Sequence, residues 1–233
     1  MEKEHSYGKH IHLLSDPFFE QILGHFSTSA VKQPEANHLV RLLSSYLAIS
    51  AMNKMFPRKS AQVLTRMNES LNFETFDRTT KVVVVDLMRA GILPSQMVFE
   101  RLHEILPAEN IRQDHILLNR KLNDKEEVIG VTMSGHKIGG PIQDSFVIFP
   151  DPMAATGSSI ESVIKLYKEM SLGRARKFLA LHFIITPEYL KRIQPLAGEL
   201  EVFALRLDKG LNEKHYILPG AGGIGEILNN SFV

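Results

Sequence analysis

Cysteine is absent from the 233 residues, which excludes disulfides, thiol nucleophiles, zinc–cysteine sites and iron–sulfur clusters. That absence fits a reducing compartment. An excess of one charge sign is also missing: 27 Lys and Arg stand against 26 Asp and Glu, a formal net charge of +1. No overall basic field points to nucleic acid or an anionic membrane. No apolar run approaches the ~20 residues of a membrane-spanning helix. Met1–His12 alternates charged and polar side chains and does not read as a signal peptide. Internal repeats and low-complexity tracts are absent. These features predict a cytoplasmic protein whose partners include neither nucleic acid nor membrane.

What is present suits a globular chain: 44% hydrophobic and 23% charged residues. A single domain over 1–233 is expected, with 1–80 as a helical N-terminal part. Pro17 opens a short helix carrying Phe18, Phe19, Ile22 and Leu23, and a longer helix starts near Pro34 and stops at Pro57. Its apolar stripe, Leu39 to Met52, reads as core or subunit contact. Lys59–Asn72 is mixed, with a helix as one option. From Val82 the pattern alternates. Lys81–Val85, His115–Leu118, Phe146–Phe149, Phe178–Ile185 and Glu201–Leu207 read as strands, Val128–Met133 as a hairpin arm, and Pro94–Leu106 and the Ile160–Tyr167 stripe as helices. Strand–helix alternation predicts an α/β fold with a mostly parallel sheet. Ligands in such sheets lie beyond the carboxyl ends of the strands. The loops of interest are therefore Asp86–Leu93, Asp151–Ser159 and Asp208–Gly225.

The loop Asp151-Pro152-Met153-Ala154-Ala155-Thr156-Gly157-Ser158-Ser159 joins an apolar strand to a helix. Its small residues leave backbone N–H groups uncovered at the helix N-terminus, which is an anion site. Thr156, Ser158 and Ser159 add hydroxyls, and Asp151 is an acceptor suited to ribose hydroxyls. No Lys or Arg lies in the loop, so it is not a Walker A loop and suits one terminal phosphate. The bland alternative is an ordinary strand–helix turn with serine caps.

This string resembles the phosphoribosyl-pyrophosphate signature of uracil phosphoribosyltransferases, whose Asp-Pro-Met opening sets them apart from relatives with two acidic residues there. Leu87-Met88-Arg89-Ala90-Gly91 is similar to the family's Leu-Arg-Ala-Gly loop. Asp208, Leu211-Asn212-Glu213 and Tyr216-Ile217-Leu218-Pro219-Gly220 resemble its base-binding segment, and Asn119-Arg120 more weakly resembles its Tyr-Arg motif. The motifs occur in the family's order from about Val82 to Gly225. The resemblance implies a type I phosphoribosyltransferase fold: α/β, a mostly parallel sheet flanked by helices, with a small hood and a β-hairpin arm. It implies transfer of a phosphoribosyl group from phosphoribosyl pyrophosphate to uracil, giving UMP and pyrophosphate, in a homodimer or higher homo-oligomer. Mg2+ would arrive with the pyrophosphate, without direct protein ligands. Arg89 and Asp151 would be the catalytic residues. Arg89, Arg120, Asp151, Pro152, Met153, Ala154, Ala155, Thr156, Gly157, Ser158, Ser159 and Gly223 would bind the donor, and Ile217, Gly222, Gly223 and Ile224 would read uracil.

The chain departs from the family at several positions. The usual Gly-Leu-Gly-Asp-Ala-Gly-Asp-Arg ending is Gly220-Ala221-Gly222-Gly223-Ile224-Gly225-Glu226-Ile227, so a carboxylate is lost at Gly223 and an arginine at Ile227. In the phosphate loop, Ala154 replaces a Leu and Ser158 a Gly. Two alternatives to uracil transfer follow: a non-catalytic protein that binds phosphoribosyl pyrophosphate or a nucleotide, and a transferase for another base.

Gly220–Gly225 fits G-x-G-x-x-G, but a dinucleotide site needs a crossover and an acidic residue about 20 positions on. The ten histidines form no His-Glu-x-x-His pair and read as scattered surface residues, with His5, His10 and His12 at an exposed N-terminus. His136, beside Lys137, is either near the pyrophosphate or a solvated loop residue. Asp86 either supports Arg89 or caps its turn, and Asp208 has a structural or supporting role.

Overall fold

The computed structural model describes residues 2–122 and 128–231; the side chains of 120–122 and 128–129 also lie outside that description. Strands β1 (Ile11–Leu13), β4 (Val82–Met88), β5 (Ile111–Leu122), β6 (Val128–Lys137), β7 (Phe146–Pro150), β8 (Met153–Ala154), β9 (Lys177–Ile185) and β10 (Leu200–Leu207) build the central sheet. A separate hairpin pairs β2 (Arg58–Leu64) with β3 (Ser70–Phe76), and a short ribbon pairs β11 (Gly210–Leu211) with β12 (Ile217–Leu218). The helices are α1 (Pro17–Phe26), α2 (Glu35–Met55), α3 (Ile92–His103), α4 (Ser158–Glu169), α5 (Pro187–Ile193) and α6 (Ile224–Asn229).

The sheet order is β1-β10-β9-β7-β4-β5-β6, with β8 alongside β9. Only the β5–β6 arm is antiparallel in it. The reason for a sheet buried on both faces is written in β4. Val82 and Val84 join one apolar cluster with residues of α1, α2 and α3, while Val83 and Val85 join another with residues of α4 and α5. A strand with period-2 side chains can bury a continuous valine run only if both faces are covered. Each such side chain removed from water contributes about 1.5–3 kcal/mol.

Adjacent strands β4 and β7 feed helices on opposite faces, α3 to one and α4 to the other. Their loops therefore part, and a crevice opens beyond the strand ends. The C-terminal segment forms a small cap, with β11 against α5 and α6 against α2. Among the described residues no helix is long and apolar enough to cross a membrane.

Three local expectations fail. Lys59–Asn72 is not helical: it forms the β2–β3 hairpin, with Arg58 opposite Phe76 and Leu64 opposite Ser70. Its turn uses Asn68 at φ 60°, and the Thr65 hydroxyl accepts from the Met67 and Glu69 N–H groups. Most of this hairpin is exposed, so no buried stripe marks its period in the sequence. His10 and His12 are not surface residues. They flank Ile11 on β1, which lies along β10, and both are buried. His12 sits 3.0 Å from Glu201 and 3.3 Å from Glu2, with its ring against Phe203. Asp86 belongs to β4 and not to the following loop.

Candidate active site

A cavity of about 230 Å³ occupies the crevice between the ends of β4 and β7. One wall is Leu87–Ala90, carried by the end of β4. There the Met88–Arg89 peptide is cis. Gly91 closes the turn because a Cβ would press on the backbone of Leu87, 2.8 Å from its carbonyl oxygen. The floor and far wall are Asp151 and Met153–Ile160. Leu118, Asn119, Gly130 and Val131 of the β5–β6 arm complete it, with Tyr189 and His215.

The 151–159 loop is built from underneath. Its short strand β8 extends the sheet beside β9, pairing Met153 with Ile184 and Ala154 with Ile185. The Pro152 carbonyl accepts from the Phe183 and Ile184 N–H groups, and the Thr186 hydroxyl donates to the Ala155 carbonyl. Gly157, at φ 77°, then turns the chain into α4 in a conformation that costs other residues about 1–2 kcal/mol. Gly157 supplies no side-chain cap to α4, and the Thr156 hydroxyl accepts from the Ser158 N–H, at 3.4 Å. Ser158, Ser159 and Ile160 of the first turn line the cavity, where an anion can meet the remaining N–H groups and the positive dipole end. The Thr156 and Ser158 hydroxyls lie 2.9 Å apart at the same corner.

Asp151 is the carboxylate in the cavity lining. Burial pushes its pKa up to about 7, against a smaller opposing effect of the Met153 N–H. Below that pH it is held neutral, and above it the carboxylate is an acceptor for hydroxyl groups. Arg89 is exposed at the opposite wall, its guanidinium donating to Ser231 Oγ at 2.9 Å. Asp86 does not support it. That carboxylate lies 3.0 Å from His115 Nδ1, and burial raises its pKa. Asp208 is structural: it takes both Arg206 Nε and Nη2 and the Gly220 N–H.

Of the residues singled out in the sequence, the fold brings Arg89, Asp151 and Met153–Ser159 to one cavity. Pro152 lies buried at the bend between β7 and β8, its carbonyl bonded to β9. Arg120 has its backbone in β5 opposite Val131, and its side chain is outside the described residues. Ile217 and Ile224 are buried in the apolar cluster with Ala221 and do not line the cavity. Gly222 and Gly223 do not line it either; Gly225 packs near Ala90, which does. The Glu226 carboxylate covers the space where a Cβ on Gly223 would project. His136 is exposed on β6, away from the lining. Tyr189 and His215 are cavity residues that sequence reasoning missed. Tyr189 follows a helix-opening proline and looks like core, and His215 sits in a turn at φ 58° between the two motif stretches 211–213 and 216–220 without belonging to either.

Comparison with known proteins identifies the family. The family model "Uracil phosphoribosyltransferase" matches residues 13–230. The chain belongs to the uracil phosphoribosyltransferase family. That makes it an enzyme of the transferase class, with the type I phosphoribosyltransferase architecture of a mostly parallel sheet flanked by helices. It is 26% identical over 223 residues to the uracil phosphoribosyltransferase of Campylobacter jejuni, covering 96% of this chain and 99% of that one. To the Thermococcus gammatolerans enzyme of the same name it is 32% identical over 176 residues, 75% of this chain and 73% of that one. The AQ2163 protein of Aquifex aeolicus shares its fold at a TM-score of 0.78 and 24% identity, over 96% and 99% of the two chains.

Proposed function

We propose that this enzyme transfers the 5-phosphoribosyl group of phosphoribosyl pyrophosphate to uracil, giving UMP and pyrophosphate. The observation that carries the reading is the convergence in one cavity of the α4 N-terminus, the Asp151 carboxylate and the Arg89 loop. The α4 donors suit the 5′-phosphate, Asp151 the ribose hydroxyls, and the Arg89 side the pyrophosphate. In the reaction the bond from C1′ to the pyrophosphate oxygen breaks, and that oxygen keeps the electron pair. The bond from uracil N1 to C1′ forms, and the N1 proton is lost. No protein nucleophile is required. The residues contribute position and charge stabilisation at an oxocarbenium-like centre.

The donor set also bears on Mg2+. Among the described residues no group of three metal-ligating side chains exists, and one carboxylate lines the cavity. Magnesium would enter with the pyrophosphate and, when bound, would neutralise charge on the leaving group, while Asp151 would face the ribose. Homo-oligomerisation belongs to the same reading. The β2–β3 hairpin exposes Val63, Leu64, Met67, Leu71 and Phe73, an apolar surface suited to association.

A different base is the alternative that a specific observation favours, because position 223 has no side chain and Glu226 fills its place. Mass spectrometry of protein, magnesium and phosphoribosyl pyrophosphate with uracil, beside parallel wells of other bases, tests both. UMP above the no-enzyme control supports uracil transfer. Another nucleotide reassigns the base. No nucleotide in any well, from folded protein, refutes transfer and leaves donor binding to be measured.

A further inference from the structure

His182 lies in β9, fully buried, and takes no part in the chemistry above. Both ring nitrogens are engaged. Nδ1 is 2.5 Å from the Asp151 carbonyl oxygen and Nε2 is 2.9 Å from the Tyr189 hydroxyl. A carbonyl only accepts, so Nδ1 carries the proton and donates to Asp151, while Nε2 accepts from Tyr189. Burial lowers the His182 pKa to about 4, which keeps the ring neutral and this tautomer in place.

The chain of bonds ends where the donor would sit. The Asp151–Pro152 peptide has no N–H, so its orientation depends on what its carbonyl accepts. That orientation is the ψ angle of Asp151, which sets the direction of its carboxylate relative to α4. At the other end, Tyr189 is fully buried on α5 and lines the cavity, with its ring 3.2 Å from the point where a Cβ on Gly157 would lie. Between them the Thr186 hydroxyl accepts from the Tyr189 N–H and donates to the Ala155 carbonyl. One segment, 182–189, thus seats the start, middle and end of the phosphate loop.

We propose that His182 and Tyr189 are positioning residues for the phosphoribosyl donor, a hydrogen-bonded strut that fixes Asp151 against the α4 N-terminus. The inference rests on the donor-binding reading of the cavity. Three variants separate its parts. His182→Asn retains an amide donor near the Nδ1 position, His182→Leu removes both bonds at similar volume, and Tyr189→Phe removes one oxygen.

Calorimetric titration with phosphoribosyl pyrophosphate and magnesium, without any base, reads the strut, and steady-state kinetics with uracil reads its consequence. His182→Leu should weaken donor binding about tenfold or more. Its donor KM should rise more than its kcat falls, with uracil KM unchanged. His182→Asn should restore donor affinity to within about threefold of wild type, and Tyr189→Phe should fall between them. Wild-type affinity in folded His182→Leu, or in Tyr189→Phe should the leucine variant not fold, overturns the strut. So does equal loss in the asparagine and leucine variants with both substrates' KM values moving together. Wild-type protein that binds donor yet makes no nucleotide refutes transfer alone, and the strut then stands or falls on the variants' affinities. Wild-type protein that binds no donor overturns both.

Discussion

The loops 151–159 and 220–227 are held in opposite ways. The first is pinned along its length by side chains that are not its own: His182 to the Asp151 carbonyl and Thr186 to Ala155, with Tyr189 against Gly157. The second is pinned at its start, where buried Asp208 gathers Arg206 and the Gly220 N–H. Gly220 itself is at φ 67°, where a Cβ would collide with the Ile217 carbonyl oxygen. Beyond it the chain runs on glycines and on Ala221 and Ile224 as plugs in the core. Geometry in the first loop is thus specified from outside the loop. In the second it is specified by residues too small to be replaced and by one buried charge pair.

Asp151→Ala should produce the largest change, a loss in kcat/KM on the order of 10²–10³-fold, read by UMP formation, with the fold intact by circular dichroism. Activity within tenfold of wild type would break the assignment of the first loop as the donor site. Asp208→Ala should act on the second loop through stability instead. It leaves Arg206 unpaired and the Gly220 N–H unsatisfied, a cost of about 3 kcal/mol by denaturant unfolding.

The first loop should also be the pH-sensitive one. The ionised Asp151 carboxylate is a stronger acceptor for hydroxyls than the neutral acid, so donor KM should fall as pH rises through about 7 and level off above it. The stability linkage has two opposing signs. Asp151, with a folded pKa above its unfolded 3.8, contributes stability at acid pH that is lost as pH rises towards about 7. His182, lowered from 6.5 to about 4, contributes stability present above 6.5 and lost as pH falls towards 4. Asp151→Asn should therefore unmask a steeper loss of thermal midpoint between pH 6.5 and 4; an unchanged slope would argue against a raised Asp151 pKa.

Gly223→Asp sharpens the comparison from the other side. The new carboxylate stands beside that of Glu226, whose flexible side chain can swing aside, so the single variant should lose no more than about 1 kcal/mol through like-charge repulsion. Gly223→Asp/Glu226→Ala should recover most of it in a double-mutant cycle. Smallest of all, His136→Ala should change kcat/KM less than about twofold, as expected for an exposed residue off the cavity.

What could be read in the sequence follows the same division. The parallel sheet was legible because valine runs and strand–helix alternation are local signals, and the phosphate loop because a strand-end Asp and small residues before a helical stripe are contiguous. The hairpin at 58–76 was not, since its exposed faces carry no burial pattern. Nor was the burial of His10 and His12, which depends on β1 finding β10 at the far end of the chain. Tyr189 and His215 reach the cavity by tertiary placement alone. Ile217, Gly222, Gly223 and Ile224 share one C-terminal segment, but Ile217 and Ile224 pack into the core, a distinction that spacing does not carry.

The pairing of β1 with β10 has a bearing on synthesis. His12 and Glu201 are 189 positions apart, yet they lie 3.0 Å from one another. A ribosome releases the first long before it makes the second. The sheet edge therefore stays open through most of translation, and the strand that begins the fold is among the last to find its place. Such distant pairing slows folding and leaves an unpaired strand available for wrong partners. The short length of β1, with a buried His12 whose ring meets the carboxylates of Glu2 and Glu201 from elsewhere in the chain, makes it a poor template for a stray strand while it waits.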